Sequence, residues 1–214
     1  MNIAVLVSGG GTNLQAIIDQ IENRSLHNVR IVKVISSSRS AYALERAHKH
    51  GIPACVISKK DFPDMDAYDE AMLGTLSGDA VELVVLAGFL SLLGPKVVSH
   101  FSNRIINIHP ALIPSFCGHG MYGIRPHEAA LARGVKLSGA TVHFVNENYD
   151  EGPILLQKSI AVLPDDTPGS LQKRIMKECE QVILPQAIQL IADNRVCIDN
   201  NRIHITPSTS EKTE

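Results

Sequence analysis

Asn107 and His109, in the run RIINIHPALIPSF from Arg104 to Phe116, place an amide and an imidazole two residues apart at the end of an apolar stretch and just before a proline. Alternate residues of a strand face the same way, so these side chains share one face while Ile106 and Ile108 take the other. Pro110 cannot continue the hydrogen-bond ladder and marks the strand's end. An Asn amide can donate to a developing oxyanion, and a histidine poised by a carboxylate can give or take a proton near neutral pH. The combination suits acyl transfer; the competing reading is a polar cap that closes a strand. A carboxylate beside the imidazole would raise its pKa. Asp150 in NENYDEGPI is one candidate, with Glu147 and Glu151 as competitors.

A second feature points to an anion. VLVSGGGTNLQAII reads as a strand, a glycine turn and a helix opening near Thr12-Asn13, a geometry that lets backbone N–H groups approach an anion at the positive end of a helix. Gly9-x-Gly11 is present, but Leu14 stands at the third position of the dinucleotide fingerprint and no Lys-Ser/Thr pair makes a Walker loop. Where a dinucleotide enzyme would place an acidic residue after the second strand, this chain has SSSRS. A phosphate monoester therefore fits the loop better than NAD or ATP, with a ligand-free turn as the rival reading. Thr141 and His143 share a face in TVHFV and take a supporting role. His119 and His127 flank the glycine-containing loop HGMYGIRPH, read as mobile rather than metal-binding, and His48 and His50 do not share a helix face. No metal site is expected. Cys55, Cys117, Cys179 and Cys197 are too scattered for a disulfide framework or a zinc site, and all but Cys117 read as buried thiols.

The elements that must position these groups alternate along the chain. NIAVLV, VRIVKVI, PACVI, VELVVLAGF and RIINI have strand character, and NLQAIIDQI, AYALERAHKH and DAYDEAMLGTL have helical character. This alternation predicts an α/β fold, doubly wound around a mostly parallel sheet. Ligands of such sheets bind beyond the carboxyl ends of the strands, where the glycine loop and His109 both emerge. Ser138–Asn146 and PILLQKSIAV add strands. Thr167 caps a long helix with Pro168 in its first turn, Pro185 is expected to kink it, and RVCI-DNN-RIHI forms a small C-terminal hairpin. Residues 1–205 read as a single domain and 206–214 as a polar tail.

The 214 residues are 44% hydrophobic and 20% charged with net charge −2, the balance of an ordinary globular chain without the basic field that drives nucleic-acid binding. The N-terminus lacks a basic or cleavage-site pattern, and no apolar run approaches the ~20 residues needed to cross a bilayer, so the cytoplasm and a small-molecule partner are expected.

SGGGTNLQAII, VVLAGFL, INIHPALIPSF, GATVHFVNENYDEGPILLQ and RIMKECEQVILP occur in this order and together resemble the folate-dependent formyltransferases of purine synthesis, over roughly residues 2 to 190. The HPALIP segment with DEGP downstream is the specific part. The resemblance implies a Rossmann-like formyltransferase fold and transfer of a formyl group from the co-substrate 10-formyltetrahydrofolate to the amine of 5-phosphoribosylglycinamide, without a metal. It implies that Asn107 holds the formyl oxygen, that His109 is the general acid/base and stabilises a charged intermediate, and that Asp150 pairs with His109 and helps relay the proton. It assigns Gly11, Thr12 and Asn13 to the acceptor's phosphate, Glu180 to the rest of the acceptor, and Phe89, Leu90, Ser91, Leu92 and Leu93, with Asn107 and the segment before Asp150, to the folate. A homodimer is left open. Ser91 and Met65 stand where basic residues are common, and the segment Ser115–Pro126 is longer than in many members; Arg125 is the candidate replacement charge. Methionyl-tRNA formyltransferase and formyltetrahydrofolate hydrolase, which carry a further domain after or before this one, are not expected here. From other classes, an NADP-dependent reductase, motivated by the glycine turn and Arg39, and a non-catalytic nucleotide sensor are the alternatives.

Overall fold

Each apolar run of the first half becomes a strand of one sheet: β1 (Asn2–Val7), β2 (Arg30–Ser36), β3 (Ala54–Val56), β4 (Leu83–Leu86) and β5 (Ile105–His109). Between them lie α1 (Thr12–Glu22), α2 (Tyr42–Lys49), α3 (Met65–Gly78) and α4 (Pro95–His100). After α5 (Arg125–Arg133) come β6 (Leu137–Phe144), β7 (Ile154–Ala161), α6 (Pro168–Ile175), α7 (Gln181–Ala192) and the hairpin β8 (Val196–Asp199) and β9 (Arg202–Ile205). The structure, a computed structural model, describes residues 1–207, and the remainder of the polar tail lies outside the described residues.

The strand order is β3-β2-β1-β4-β5-β6-β7. Pairing is parallel from β3 through β5 and antiparallel from β5 through β7. The chain moves outward from β1 through β2 and β3, then returns to place β4 on the other side of β1. Loops leaving β1 and β4 therefore diverge and open a crevice at the carboxyl edge, the place where ligands bind in such sheets.

Both faces of the sheet are covered, which is why β1 is apolar from Ile3 to Val7 rather than alternating. Ile3, Val5 and Val7 pack with Leu14, Ile17 and Ile18 of α1 and Ile183, Leu184 and Ile188 of α7. Ala4 and Leu6 pack on the opposite face with Tyr68, Met72 and Leu76 of α3 and Val97 of α4. Thr167 caps α6 in a reciprocal capping box with Ser170. The β8–β9 turn has Asn200 and Asn201 at φ 46 and 62, the positive values such a two-residue turn demands.

Several expectations are corrected. The long helix is interrupted at Met176–Glu180, a π turn, while Pro185 lies inside α7. Proline lacks the N–H that would bond to residue 181 and crowds its carbonyl, and the wider turn upstream absorbs that mismatch. The segment Ser115–Pro126 does not remain a loop to its end: Arg125 and Pro126 open α5, which Gly134 closes at φ 72. Among the cysteines Cys179 is buried, Cys55 and Cys117 are half-buried, and Cys197 is exposed on the small hairpin, whose outer side nothing covers among the described residues.

Candidate active site

Antiparallel pairing of β5 with β6 sets Asn107 opposite His143 and His109 opposite Thr141, so these four side chains share one face. Thr141 holds the chain beyond Pro110: its hydroxyl donates to the Ala111 carbonyl (2.7 Å) and accepts from the N–H of Ile113 (3.1 Å) and the Gln157 amide (3.1 Å). His143 faces the Phe144 carbonyl with Nδ1 at 2.9 Å. A carbonyl only accepts, so Nδ1 carries the proton and Nε2 of the neutral ring accepts from Asn107 Nδ2 at 3.1 Å. The second N–H of the Asn107 amide remains available to a substrate oxygen.

His109 is buried, with 4% of its surface exposed. Its Nε2 donates to the Phe116 carbonyl at 2.9 Å, and its Nδ1 lies 3.6 Å from Asp150 Oδ2. Asp150 Oδ2 also accepts from the Gly118 N–H at 2.8 Å, and Oδ1 lies 3.5 Å from His143 Nε2. Of the carboxylates left open by the sequence, Asp150 thus reaches the histidine. Phe116 and Asp150, which flank the imidazole, have φ of 53 and 54. Such left-handed backbone costs ~1–2 kcal/mol in a non-glycine residue, and strain of this kind concentrates at functional sites.

Burial lowers the His109 pKa below the ordinary histidine value, against the raising effects of Asp150 and the Phe116 carbonyl. The expected upward shift is therefore reversed in sign, because desolvation of a buried ring outweighs a counter-charge 3.6 Å away. Burial pushes the Asp150 carboxyl upward, but the nearby His143 ring, the Gly118 N–H and the positive charge of a protonated His109 hold it below its usual range.

The glycine loop lies across the same crevice. Gly11 precedes α1 in the left-handed region at φ 70, and a Cβ there would stand 2.6 Å from that of Ala43. Thr12 donates to the Met176 sulfur at 2.9 Å, and Asn13 Nδ2 donates to Glu180 Oε2 at 2.7 Å. Glu180, on the π turn, is buried; desolvation raises its pKa while the Asn13 bond opposes the rise. Asn13 Oδ1 is buried and has no partner among the described residues.

A cavity of about 880 Å³ connects these parts. Gly9 to Asn13 and Glu180 line one end, Asn107, His109, His143 and Asp150 the middle, and Phe89 to Leu93 with Met65, Val98 and Val145 the other. The wall after β4 is held from behind by Asp69, a buried carboxylate that accepts from the N–H groups of Gly94 (2.9 Å) and Lys96 (3.0 Å). Arg125 lies on the rim over the Tyr122 ring, 4.9 Å from its centroid, and donates to the Gly120 carbonyl. Sequence reasoning misses the Phe116 carbonyl, the Gly118 N–H and the buried ring of His127. The first two act through backbone atoms, which leave no side-chain signature. His127 belongs to a helix rather than to a mobile loop, and the helical periodicity after Arg125 is the signal that would have found it.

An amide, an imidazole and a carboxylate gathered over strand ends, in a crevice that continues to a glycine loop, define a group-transfer site of the acyl type on a doubly wound sheet. The chain belongs to the formyl transferase family, whose profile matches residues 1–188. It is 36% identical over 201 residues to phosphoribosylglycinamide formyltransferase of Escherichia coli, an alignment covering 94% of this chain and 92% of that protein. It is 38% identical over 195 residues to the chloroplastic phosphoribosylglycinamide formyltransferase of Arabidopsis thaliana, covering 91% of this chain and 66% of that one. It spans 14% of the trifunctional purine biosynthetic protein of Drosophila melanogaster. The crystal structure of glycinamide ribonucleotide transformylase 1 from Symbiobacterium toebii superposes with a TM-score of 0.91 at 42% identity, covering 97% of this chain and 94% of that one.

Proposed function

We propose that this chain transfers the formyl group of 10-formyltetrahydrofolate to the amine of 5-phosphoribosylglycinamide, a step of purine biosynthesis carried out in the cytoplasm by residues 1–205 as one catalytic unit. The observation that carries the reading is the Asn107–His109–Asp150 cluster at the middle of a single cavity, with the glycine loop at one end and an apolar wall at the other. The wall fits the donor: Phe89, Leu93, Val98 and Val145 offer apolar surface to a flat ring system, and the backbone from Phe89 to Leu93 offers polar edges. When bound there, the folate supplies an activated formyl group.

Asn107 donates its free N–H to an oxygen that gains negative charge, and His143, by accepting the other N–H, keeps the amide turned that way. His109, neutral at physiological pH, takes a proton from the attacking amine and returns one to the departing nitrogen. Asp150 stabilises the imidazolium formed on the way and is itself kept ionised by the Gly118 N–H. Gly11, Thr12 and Asn13 meet the acceptor's phosphate, and Glu180 meets its hydroxyl groups. Arg39, one of the two features behind the NADP reading, pairs with Asp61 at 2.8 Å.

The direct test incubates the protein with 10-formyltetrahydrofolate and 5-phosphoribosylglycinamide and follows tetrahydrofolate and the formylated product. Formation of both in equal amounts is expected. Release of formate at the same rate without the acceptor would replace transfer by hydrolysis, and an intact donor would overturn the reading.

A further inference from the structure

Each carbonyl group of the glycine loop is engaged by a specific donor. Gly11 O accepts from the Gln15 N–H (2.9 Å), Gly9 O from the Ala43 N–H (3.1 Å), and Gly10 O from Arg46 Nε at 2.8 Å. Two of the three donors belong to α2. The same guanidinium donates from Nη1 to Gln15 Oε1 at 2.9 Å and lies over the Tyr42 ring, 5.1 Å from its centroid. Arg46 is thus held at three points and pairs with no carboxylate within 4 Å among the described residues. A peptide plane whose carbonyl is fixed on one side presents its N–H on the other. The N–H groups of Gly10 and Gly11 donate to no backbone acceptor among the described residues. They remain for an anion, and the uncompensated charge behind them adds to their potential.

We propose that Arg46 is a positioning residue of the acceptor site: from outside the cavity it fixes the Gly10 peptide and so builds the loop into a binding surface for the acceptor's phosphate monoester. The proposal rests on the assigned activity only for the identity of the phosphate's bearer. Arg46 does not line the cavity, so its effect passes through the loop.

The test has an arm that needs no turnover. Inorganic phosphate is titrated into the protein while the backbone amide resonances of residues 9–13 are followed by NMR, with thermal melts confirming the fold of each variant. In the wild type these amides shift on binding. In Arg46→Met phosphate affinity falls by about tenfold or more, the equivalent of one charge-assisted hydrogen bond. In Arg46→Lys, which keeps the charge but cannot reach Gly10 and Gln15 together, it is restored in part. In steady-state assays Arg46→Met raises KM for 5-phosphoribosylglycinamide by a similar factor with kcat within about threefold, and leaves the dephosphorylated riboside unaffected. Unchanged phosphate affinity in folded Arg46→Met, full rescue by lysine, no shift of residues 9–13 in the wild type, or equal losses on both acceptors would each overturn the proposal. A wild type that binds phosphate at these amides but does not formylate 5-phosphoribosylglycinamide would overturn the assigned activity and leave the role of Arg46 standing.

Discussion

His109 has an acceptor at each ring nitrogen, the Phe116 carbonyl and the Asp150 carboxylate, yet its burial favours the neutral ring. The opposition suits the role proposed for it, a base that takes up charge during reaction without carrying it at rest. Asp150→Asn removes the charge that supports the imidazolium and leaves desolvation, so the His109 pKa should fall further below the ordinary value and kcat should fall more than KM rises. NMR titration of the ring in both proteins checks this, and an unchanged pKa with unchanged kcat would assign the imidazolium to another partner. His109→Ala should lower kcat by ~10²–10⁴-fold as loss of a general acid/base. Asn107→Ala should lower it by ~10²–10³-fold as loss of an oxyanion donor. Near-normal turnover in either folded variant would remove that residue from the chemistry.

At the scale of elements, what matters is how tightly loops are pressed against strands and helices. A Cβ added at Gly152 would run into the Phe144 carbonyl of β6, so the chain after Asp150 can pass there only as glycine. Gly152→Ala should therefore shift the Asp150 loop and lower kcat by about the ~10²-fold seen for misplaced catalytic groups, even though the substituted residue touches no substrate; a wild-type kcat would show that the loop yields without moving Asp150. Gly11 is constrained differently. With φ 70 and the Ala43 Cβ 2.6 Å from where an added methyl would stand, Gly11→Ala should cost roughly 1–3 kcal/mol of stability, about 2–12 °C in Tm, before any effect on phosphate. A melt that matches wild type would mean that α2 can retreat from the loop.

The whole molecule carries an acid-sensitive point in His127. The ring is fully buried in the first turn of α5, neither nitrogen has a partner among the described residues, and burial followed by the charge of His109 lowers its pKa to about 4 from 6.5. Because the folded value is depressed, the unfolded chain binds more protons between these pH values. The contribution is fully present above about pH 6.5 and is lost as pH falls through about 4, a change of up to ~3 kcal/mol. Denaturant melts of the wild type should lose stability more steeply across that window than those of His127→Leu. Parallel slopes would place the acid sensitivity in other groups. Since α5 follows the segment that supplies the Phe116 carbonyl and the Gly118 N–H, the same titration reports how firmly that segment is seated.

Much of this arrangement is legible in the unfolded chain. The shared face of Asn107 and His109 follows from the period of two in any strand, the parallel sheet from the alternation of apolar runs with helical patterns, and the cap at Thr167 and the turn at Asn200-Asn201 from local backbone chemistry. Such signals need no partner from elsewhere in the chain. Residue types and spacing left open which carboxylate of NENYDEG meets His109; the resemblance implied Asp150, and the tertiary structure brings it there, because the pairing depends on how the β6–β7 connection folds back over the sheet rather than on spacing. The tertiary structure alone decided that burial outweighs Asp150 in the pKa of His109, that Gly11 is required by Ala43 as well as by any ligand, and that Phe116 and Gly118 bind through backbone atoms whose direction their residue types do not encode. Local periodicity is a property of the chain, whereas desolvation, close approach and the aim of a peptide group are properties of what packs around it.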